Sequence, residues 1–459
     1  MIPDCNETIV GIATVPGKSG IGIIRLSGKD SFAITAKFFR PKKYDTLFDQ
    51  NNRTLTYGWI EDRNLTLDEV LVCTMRNPHS FTAEDVVEIQ CHGGSFVMQR
   101  ILAVAVKHGA RLAQPGEFTH RAFINGRIDL TQAEATNDLI NAKTGLGLNL
   151  AINQLKGKLY QKIAALKEDI SWILSLINAE IDFPEEDVFF IHSDAIREKL
   201  QSVEVEIQEL IASADIGIMI REGYKIVLAG TPNVGKSTIL NGLLNQERSI
   251  VTQIPGTTRD TIEESCSIKG IPVLLTDTAG IHQTEDVVEK EGINRTYVAA
   301  QQADLIIWVI DVTNFMETVE MSEELTSLNI PILKVFNKKD CLDRNFVLSD
   351  RWKNDRYILI SAIEKEGIAK LRDFIYTCIS GKRDHIPEDS ILTNLRQKIA
   401  ATNTLSAVKQ ALKSIDKGLG EEYLSVDLSD ALNMLGDIVG ETTPDEMLHQ
   451  IFANFCIGK

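Results

Sequence analysis

The apolar pattern of this 459-residue chain changes texture three times. Up to about residue 118, short runs rich in branched residues (ETIVGIAT, GIGIIRLSG, LTYGWIED, DEVLVCTMR, DVVEIQCHGG) are broken by Gly, Pro and Asn. Such punctuation predicts strands of a small α+β domain. No proline then occurs between Pro115 and Pro184, and Leu155, Leu159, Ile163, Leu166, Ile170, Ile173, Ile177 and Ile181 fall at steps of three and four. That spacing predicts one long amphipathic helix. A second proline-free stretch, Pro387 to Pro444, is again helical in texture and leads into TTPDEMLHQIFANF. There Thr443 is the expected N-cap, Pro444 the first helical residue and Glu446 the end of a capping box, with Leu448, Ile451, Phe452 and Phe455 on one face.

Between the helical stretches, residues 221 to 380 alternate buried-strand runs (KIVLAG, PVLLTD, LIIWVID, PILKVFN, YILIS) with helical segments, the pattern of a parallel α/β sheet. The economical arrangement is a multidomain chain. Residues 1–118 form an α+β domain, 119–220 and 381–459 together form an all-α helical domain, and 221–380 form an α/β domain inserted into it. Two separate helical domains are the alternative.

Charge and cysteine content narrow the class. With 48 basic and 64 acidic residues the net charge is -16, which argues against a large sequence-independent nucleic-acid surface, since Lys and Arg drive phosphate binding. Cys5, Cys73, Cys91, Cys266, Cys341, Cys378 and Cys456 are odd in number and scattered, as in a reduced, intracellular protein. The N-terminus lacks the basic and apolar regions of a signal peptide, and no run of eighteen apolar residues occurs, so a soluble cytoplasmic protein without a membrane partner is expected.

The strand KIVLAG runs into GTPNVGKST, which satisfies G-x-x-x-x-G-K-[ST] through Gly230, Gly235, Lys236 and Ser237. In a strand–loop–helix context the backbone N–H groups of Asn233, Val234, Gly235 and Thr238 cradle phosphates, Lys236 reaches the outer phosphates and the Ser237 hydroxyl binds Mg²⁺. Asp277, 41 residues after Lys236, opens DTAG (Asp277, Thr278, Ala279, Gly280). Its carboxylate is placed to hold Mg²⁺ through water, and the Gly280 amide to sense the γ-phosphate. GTTRD offers Thr257 and Thr258 as switch hydroxyls, Thr258 toward Mg²⁺. NKKD contributes Asn337, Lys338 and Asp340 after another buried strand. The Asp340 carboxylate accepts from the N1–H and amino group of guanine, a pair that adenine does not offer. Ser361 and Ala362 complete the base end. The ordered set reads as a P-loop GTPase domain that binds GTP. By contrast, Gly17-Lys18-Ser19 lacks the upstream glycine of the pattern, since position 12 is Ile12. One Cys and one His in CHGG (Cys91–Gly94) are too few for a closed zinc site.

The hydrolytic machinery is incomplete in the sequence. Where Ras-like enzymes carry a water-orienting glutamine after DTAG, this chain has Ile281. Arg259 is the nearest candidate for a stabilising cation, though a solvated switch arginine is the simpler reading. Hydrolysis is therefore expected to be slow unless another cation enters.

TVPGKSGIGIIRLSG, HSFTAEDVVEIQCHGG, QPGEFTHRAFINGRIDLTQAEA, IDFPEED, the nucleotide motifs and the terminal FCIGK together resemble the MnmE (TrmE) family of tRNA modification GTPases along the whole chain. The resemblance implies G domains that dimerise around K⁺, held by positions matching Asn233, Thr252, Ile254 and Thr257, with Glu289 orienting water. It implies a homodimer, and 5-formyltetrahydrofolate or a related one-carbon folate bound in the N-terminal domain through Glu88, Arg25 and Arg127. The last position is often lysine in the family. It further implies a flavin-dependent (FAD-binding) partner, MnmG (GidA), and wobble-uridine C5 modification of tRNA, the tRNA being held mainly with the partner. The terminal Gly458 and Lys459 make a poor prenylation box. In the family Cys-Ile-Gly-Lys lies near the folate, which makes Cys456 a candidate reactive group and puts Lys459 near the folate; a helix-end thiol beside a lysine ionises more readily. An Era- or EngA-like ribosome-assembly GTPase would share the G motifs but leaves the first 118 residues and FCIGK unexplained. Two further alternatives are a folate-dependent transferase with a regulatory G domain and a prenylated signalling GTPase.

Overall fold

The structure, a computed structural model, describes residues 7–15, 17–42, 52–63, 65–182, 193–244, 263–277, 297–313, 326–342, 357–381, 391–455 and 458. Its strands are β1 (Ile9–Ile12), β2 (Ser19–Ser27), β3 (Phe39–Pro41), β4 (Leu55–Asp62), β5 (Leu65–Met75), β6 (Val86–Gly93), β7 (Arg111–Leu112), β8 (Tyr224–Ala229), β9 (Glu263–Ile268), β10 (Ile271–Asp277), β11 (Leu305–Asp311), β12 (Ile332–Asn337) and β13 (Tyr357–Leu359). Its helices are α1 (Ser31–Ala36), α2 (Ser95–Lys107), α3 (Glu117–Ile124), α4 (Leu130–Asn141), α5 (Gly145–Leu155), α6 (Lys158–Asp182), α7 (Ser193–Glu222), α8 (Lys236–Leu244), α9 (Ile368–Ser380), α10 (Leu395–Asp416), α11 (Glu421–Val439) and α12 (Asp445–Ala453). Packing divides the chain into two compact units. One comprises Met1–Asn137, Gln154–Ser171 and Ser429–Lys459, the other Asp138–Asn153 and Trp172–Leu428.

In the first unit, seven strands form a sheet in the order β3-β4-β5-β6-β2-β1-β7. Neighbours are antiparallel except β1 and β7. Strand alternation sorts the side chains: Ile24, Leu26, Val70, Val72 and Ile89 are buried in a core with Met98, Ile101 and Ala105 of α2. Arg25 and Glu88 fall on the other face, directly opposite each other in the β2–β6 register. A smaller cluster joins Leu130 and Ala133 of α4 to Leu448 and Phe452 of α12 and to Phe455, with Phe123 packed against it.

The second unit holds a six-stranded sheet, β13-β12-β11-β8-β10-β9. All seven residues of β11 are buried, as expected of a strand covered on both faces. The sheet is not purely parallel as its apolar runs predict, because β9 pairs antiparallel with β10. Their two-residue turn has Lys269 at φ 50 and Gly270 at φ 87, both left-handed as a tight hairpin requires. The run EESCSI carries little apolar signal, and within it Cys266 and Ile268 alone are buried hydrophobics.

Two helix expectations need correction. Leu155 ends α5 instead of opening the long helix, since Gly157 at φ 79 breaks the chain between α5 and α6. From Leu159 to Ile177 the predicted stripe is buried throughout, but Ile181 is exposed. At the last helix Pro444, not Thr443, occupies the N-cap position, with φ -61 and ψ 144 and no side-chain cap. The Thr443 hydroxyl is spent on the Asp437 carbonyl at 3.1 Å. Of the apolar face predicted for α12, Leu448 and Phe452 are buried, as is Phe455 just past the helix end, while Ile451 is half-buried. Among the described residues no helix is long and apolar enough to cross a membrane.

Phe452 packs against His120, Phe123 and Phe455. Phe452→Ala is expected to weaken the docking of α12 by roughly 3–5 kcal/mol. Limited proteolysis should then release a C-terminal fragment; cleavage no faster than in the parent would contradict this packing.

Candidate functional site

The predicted site residues within the described chain fall into two groups, one in each unit. In the second unit the sheet order changes direction at β8, with β11 on one side and β10 on the other. The carboxyl ends of strands at such a switch point form the ligand crevice of open α/β sheets. The loop from β8 to α8 lies there. A Cβ on Gly230 would lie 2.4 Å from the Val309 carbonyl oxygen, and one on Gly235 would lie 2.2 Å from Asn337 Nδ2. Both positions have positive φ, so glycine is required on steric and conformational grounds.

Val234 is buried beneath the loop, while Asn233 is exposed at φ 63. Lys236 is 5% exposed, and its Nζ donates to Gly230 O at 2.7 Å and Thr231 O at 3.0 Å. Burial lowers its pKa, and the Asp277 charge works against that shift. At the N-terminus of α8, Ser237 Oγ donates to Asp277 Oδ2 at 2.7 Å. A hydroxyl and a carboxylate so juxtaposed are hard oxygen donors of the kind Mg²⁺ takes. Thr238 follows on the exposed side of α8.

The base end is built on β12. Asn337 is 3% exposed; its Nδ2 donates to Val234 O at 2.8 Å, and its Oδ1 accepts from Ala362 N at 3.0 Å. Lys338 follows at φ 68. Asp340 is exposed, its Oδ1 accepting from Ser361 Oγ at 2.5 Å and its Oδ2 from Cys341 Sγ at 3.3 Å. The Ser361 hydroxyl and then the Cys341 thiol hold its carboxyl below the usual range. Each oxygen of this ionised, exposed carboxylate keeps a further lone pair, as an acceptor for the donor edge of guanine requires.

In the first unit Arg25 is the hub. Its Nη2 and Nε lie 2.8 Å and 2.9 Å from Glu88 Oε1, and its Nη1 donates to Gly458 O at 3.2 Å. The guanidinium carbon is 5.6 Å from the ring centroids of both Phe81 and Phe118. Arg127 donates to Phe81 O at 2.8 Å and lies over the same ring at 5.0 Å. Burial lowers its pKa. Two aromatic faces, a carboxylate and two guanidiniums fit a flat, donor-rich heterocycle with an acidic tail. Gly458, at φ 98, is pressed to β1 so closely that a Cβ would meet Ile12 O at 2.2 Å. Phe81 and Phe118 escape a reading of the sequence; their signal is a lone aromatic in a polar run, HSFTAED and GEFTHR. Thr252, Ile254, Thr257, Thr258, Thr278, Ala279, Gly280, Glu289, Cys456 and Lys459 lie outside the described residues.

Fold and site together define a GTPase: a P-loop domain with a guanine-reading end, carried in a multidomain chain. The family model described as the MnmE helical domain matches residues 130–456, and that of the GTP-binding protein TrmE N-terminus matches residues 8–127. The tRNA modification GTPase MnmE of Thermoanaerobacter pseudethanolicus is 44% identical over 460 residues, with 99% of each chain covered. That of Clostridioides difficile is 40% identical over 459 residues, again covering 99% of each. This chain belongs to the MnmE family. Among solved structures, the FeoB G-domain from Methanococcus jannaschii is 25% identical, with a TM-score of 0.27 over 34% of this chain and 97% of that one. Aquifex aeolicus Era is 28% identical, with a TM-score of 0.28 over 40% of this chain and 66% of that one.

Asp340→Asn replaces an acceptor with a donor, which suits the C2 carbonyl of xanthine instead of the guanine amine. GTP affinity should fall roughly 10²-fold or more while XTP affinity rises. Competition binding with both nucleotides checks this; a variant that still prefers GTP would remove Asp340 from base reading.

Proposed function

We propose that the chain is the GTP-hydrolysing subunit of a complex that modifies carbon 5 of the wobble uridine in tRNA, adding an aminomethyl-type substituent together with the FAD-binding partner MnmG (GidA). The observation that carries this reading is the meeting at Arg25 of Glu88 and the Gly458 carbonyl. Gly458 thereby lies against the cations and carboxylate suited to a folate, which supports giving the Cys-Ile-Gly-Lys tail a task there. An Era-like plan gives neither feature a task.

At the nucleotide, Lys236 and the amides of residues 233–238 hold the phosphates. Ser237 and Thr258 ligate Mg²⁺, with Asp277 acting through water. Asn337, Lys338, Asp340, Ser361 and Ala362 bind guanine. Thr278 and Ala279 belong to the nucleotide-binding DTAG stretch, the Gly280 amide senses the γ-phosphate, and Glu289 orients water. Asn233, Thr252, Ile254 and Thr257 take K⁺ as two G domains of a homodimer meet, placing a cation where an arginine finger would act.

In the first unit, Glu88 pairs with the donor edge of a one-carbon folate while Arg25, Arg127 and Lys459 hold its acidic tail. The folate supplies the transferred carbon when bound. Cys456 is the reactive group of the tail. GTP hydrolysis drives opening and closing of the G-domain pair, not the carbon transfer. The domain plan is 1–118, 119–220 with 381–459, and 221–380. The protein works in the cytoplasm, and its net charge of -16 is consistent with the partner holding most of the tRNA.

With Mg²⁺ and matched ionic strength, GTP turnover should be at least about tenfold faster in KCl than in NaCl, since cationic stabilisation of this transition state is worth far more than that. The difference should vanish in Asn233→Ala. Equal rates in the two salts would overturn the K⁺ assignment, and unchanged wobble nucleosides by mass spectrometry of cells lacking the protein would overturn the tRNA assignment.

A further inference from the structure

Asp311 stands outside every nucleotide motif, yet its surroundings tie it to the base end. It closes β11 directly opposite Asn337 in the parallel β11–β12 register and is 7% exposed. A carboxylate so placed is costly unless paired and hydrogen-bonded, and both oxygens of Asp311 are engaged. Oδ1 accepts from Thr313 N at 2.9 Å and from Thr313 Oγ1 at 2.7 Å, while Oδ2 accepts from Lys338 Nζ at 2.5 Å. Burial pushes against the charge, but the bonds from Lys338 and Thr313 outweigh it and keep the carboxyl below the usual range.

Lys338 is the residue with most need of such a partner. It sits at φ 68 and ψ 37, a left-handed conformation that a lysine keeps only where its surroundings hold it. On one side of it Asn337 is anchored to the phosphate loop and to Ala362. On the other, the chain turns through the short helix Lys339–Cys341 that carries Asp340. The direction of that turn is set at Lys338, whose side-chain end is fixed by a different strand.

We propose that Asp311 is a positioning residue for guanine recognition: by holding the Lys338 ammonium it fixes the left-handed turn that aims Asp340 at the base. This rests on the reading of Asp340 as the guanine acceptor. It assigns Asp311 to binding and base discrimination, not to hydrolysis. Inosine triphosphate probes the aim of Asp340, because it keeps the N1–H and lacks the 2-amino group, and so offers one of guanine's two donors.

The test uses the full-length purified chain with Asp311→Asn, Lys338→Met and the double variant, each checked by thermal unfolding. Affinities for GDP, GTP, ITP and ATP are measured by competition against a fluorescent GDP analogue, together with KM and kcat for GTP. Asp311→Asn should weaken GDP and GTP about tenfold, the size of a coupled charge pair, raise KM for GTP in proportion and narrow the preference for GTP over ITP. Its kcat at saturating GTP should change less than about twofold, a binding loss without a loss in the chemical step. The double variant should bind no worse than the weaker single variant. Parental GTP affinity and GTP/ITP preference in Asp311→Asn, losses that simply add in the double variant, or a fall in kcat at constant KM would each overturn the assignment. Should Asp311→Asn fail to fold, Lys338→Met alone must reproduce the narrowed GTP/ITP preference, and parental discrimination there refutes the proposal. A parent that binds ATP as well as GTP would instead defeat the guanine reading itself.

Discussion

The amide of Asn337 reaches in two directions from the end of one buried strand, and the nucleotide site depends on it. Its Nδ2 donates to the Val234 carbonyl in the phosphate loop, and its Oδ1 accepts from the Ala362 amide. Three segments are thereby joined through one side chain, with Val234 103 positions before it and Ala362 25 positions after it. A carboxamide can do this because it carries both donors and acceptors on a rigid plane. Burial makes the arrangement exacting, since an amide at 3% exposure has no water to replace a lost partner. Gly235 is part of the same constraint, for a Cβ there would occupy the space of the amide nitrogen.

The first unit uses the same device with a charged group. Arg25 lies between Glu88, its cross-strand neighbour, and Gly458, 433 positions away. Guanidinium geometry allows both bonds at once, with the plane left over Phe81 and Phe118. Behind it, Arg121 is 1% exposed and pairs with Glu84 and Glu117. Burial would raise the Glu117 pKa, but the hydrogen bond from Arg111 and the neighbouring charges keep it below the usual range. Removing one partner from such a cluster leaves a buried charge uncompensated, which costs more than the pairing itself contributes.

Chain connectivity explains why the terminal segment reaches this site. Phe452 and Phe455 bury themselves with Leu130 and Ala133, so apolar burial fixes α12 against α4. The glycine at 458 then permits a close backbone approach to β1 that no other residue could make. A hydrophobic helix and a single glycine divide the work of docking and threading.

Much of this was legible in the residues. Buried-strand runs, the stripe from Leu159 to Ile177, the phosphate loop, Asp277 and NKKD announce themselves because each rests on local periodicity or on short fixed spacing. The family, and with it the three-part architecture, is carried by motifs spread along the whole chain. What the sequence left undetermined has one physical origin: contacts between distant segments leave no period. β9 was hidden because its polar run becomes a strand only through a Lys269–Gly270 hairpin onto β10. The cap of α12 shifted because Asp437 took the Thr443 hydroxyl. Phe81 and Phe118 look like isolated aromatics until the fold sets them under Arg25, and Asp311 looks like the polar end of a strand until Lys338 reaches it. The sequence by itself determined the elements and the chemical groups, since both are written in neighbouring residues. The tertiary structure alone decided which groups share a carboxylate, an amide or a ring, because that depends on which strand ends the sheet order brings together.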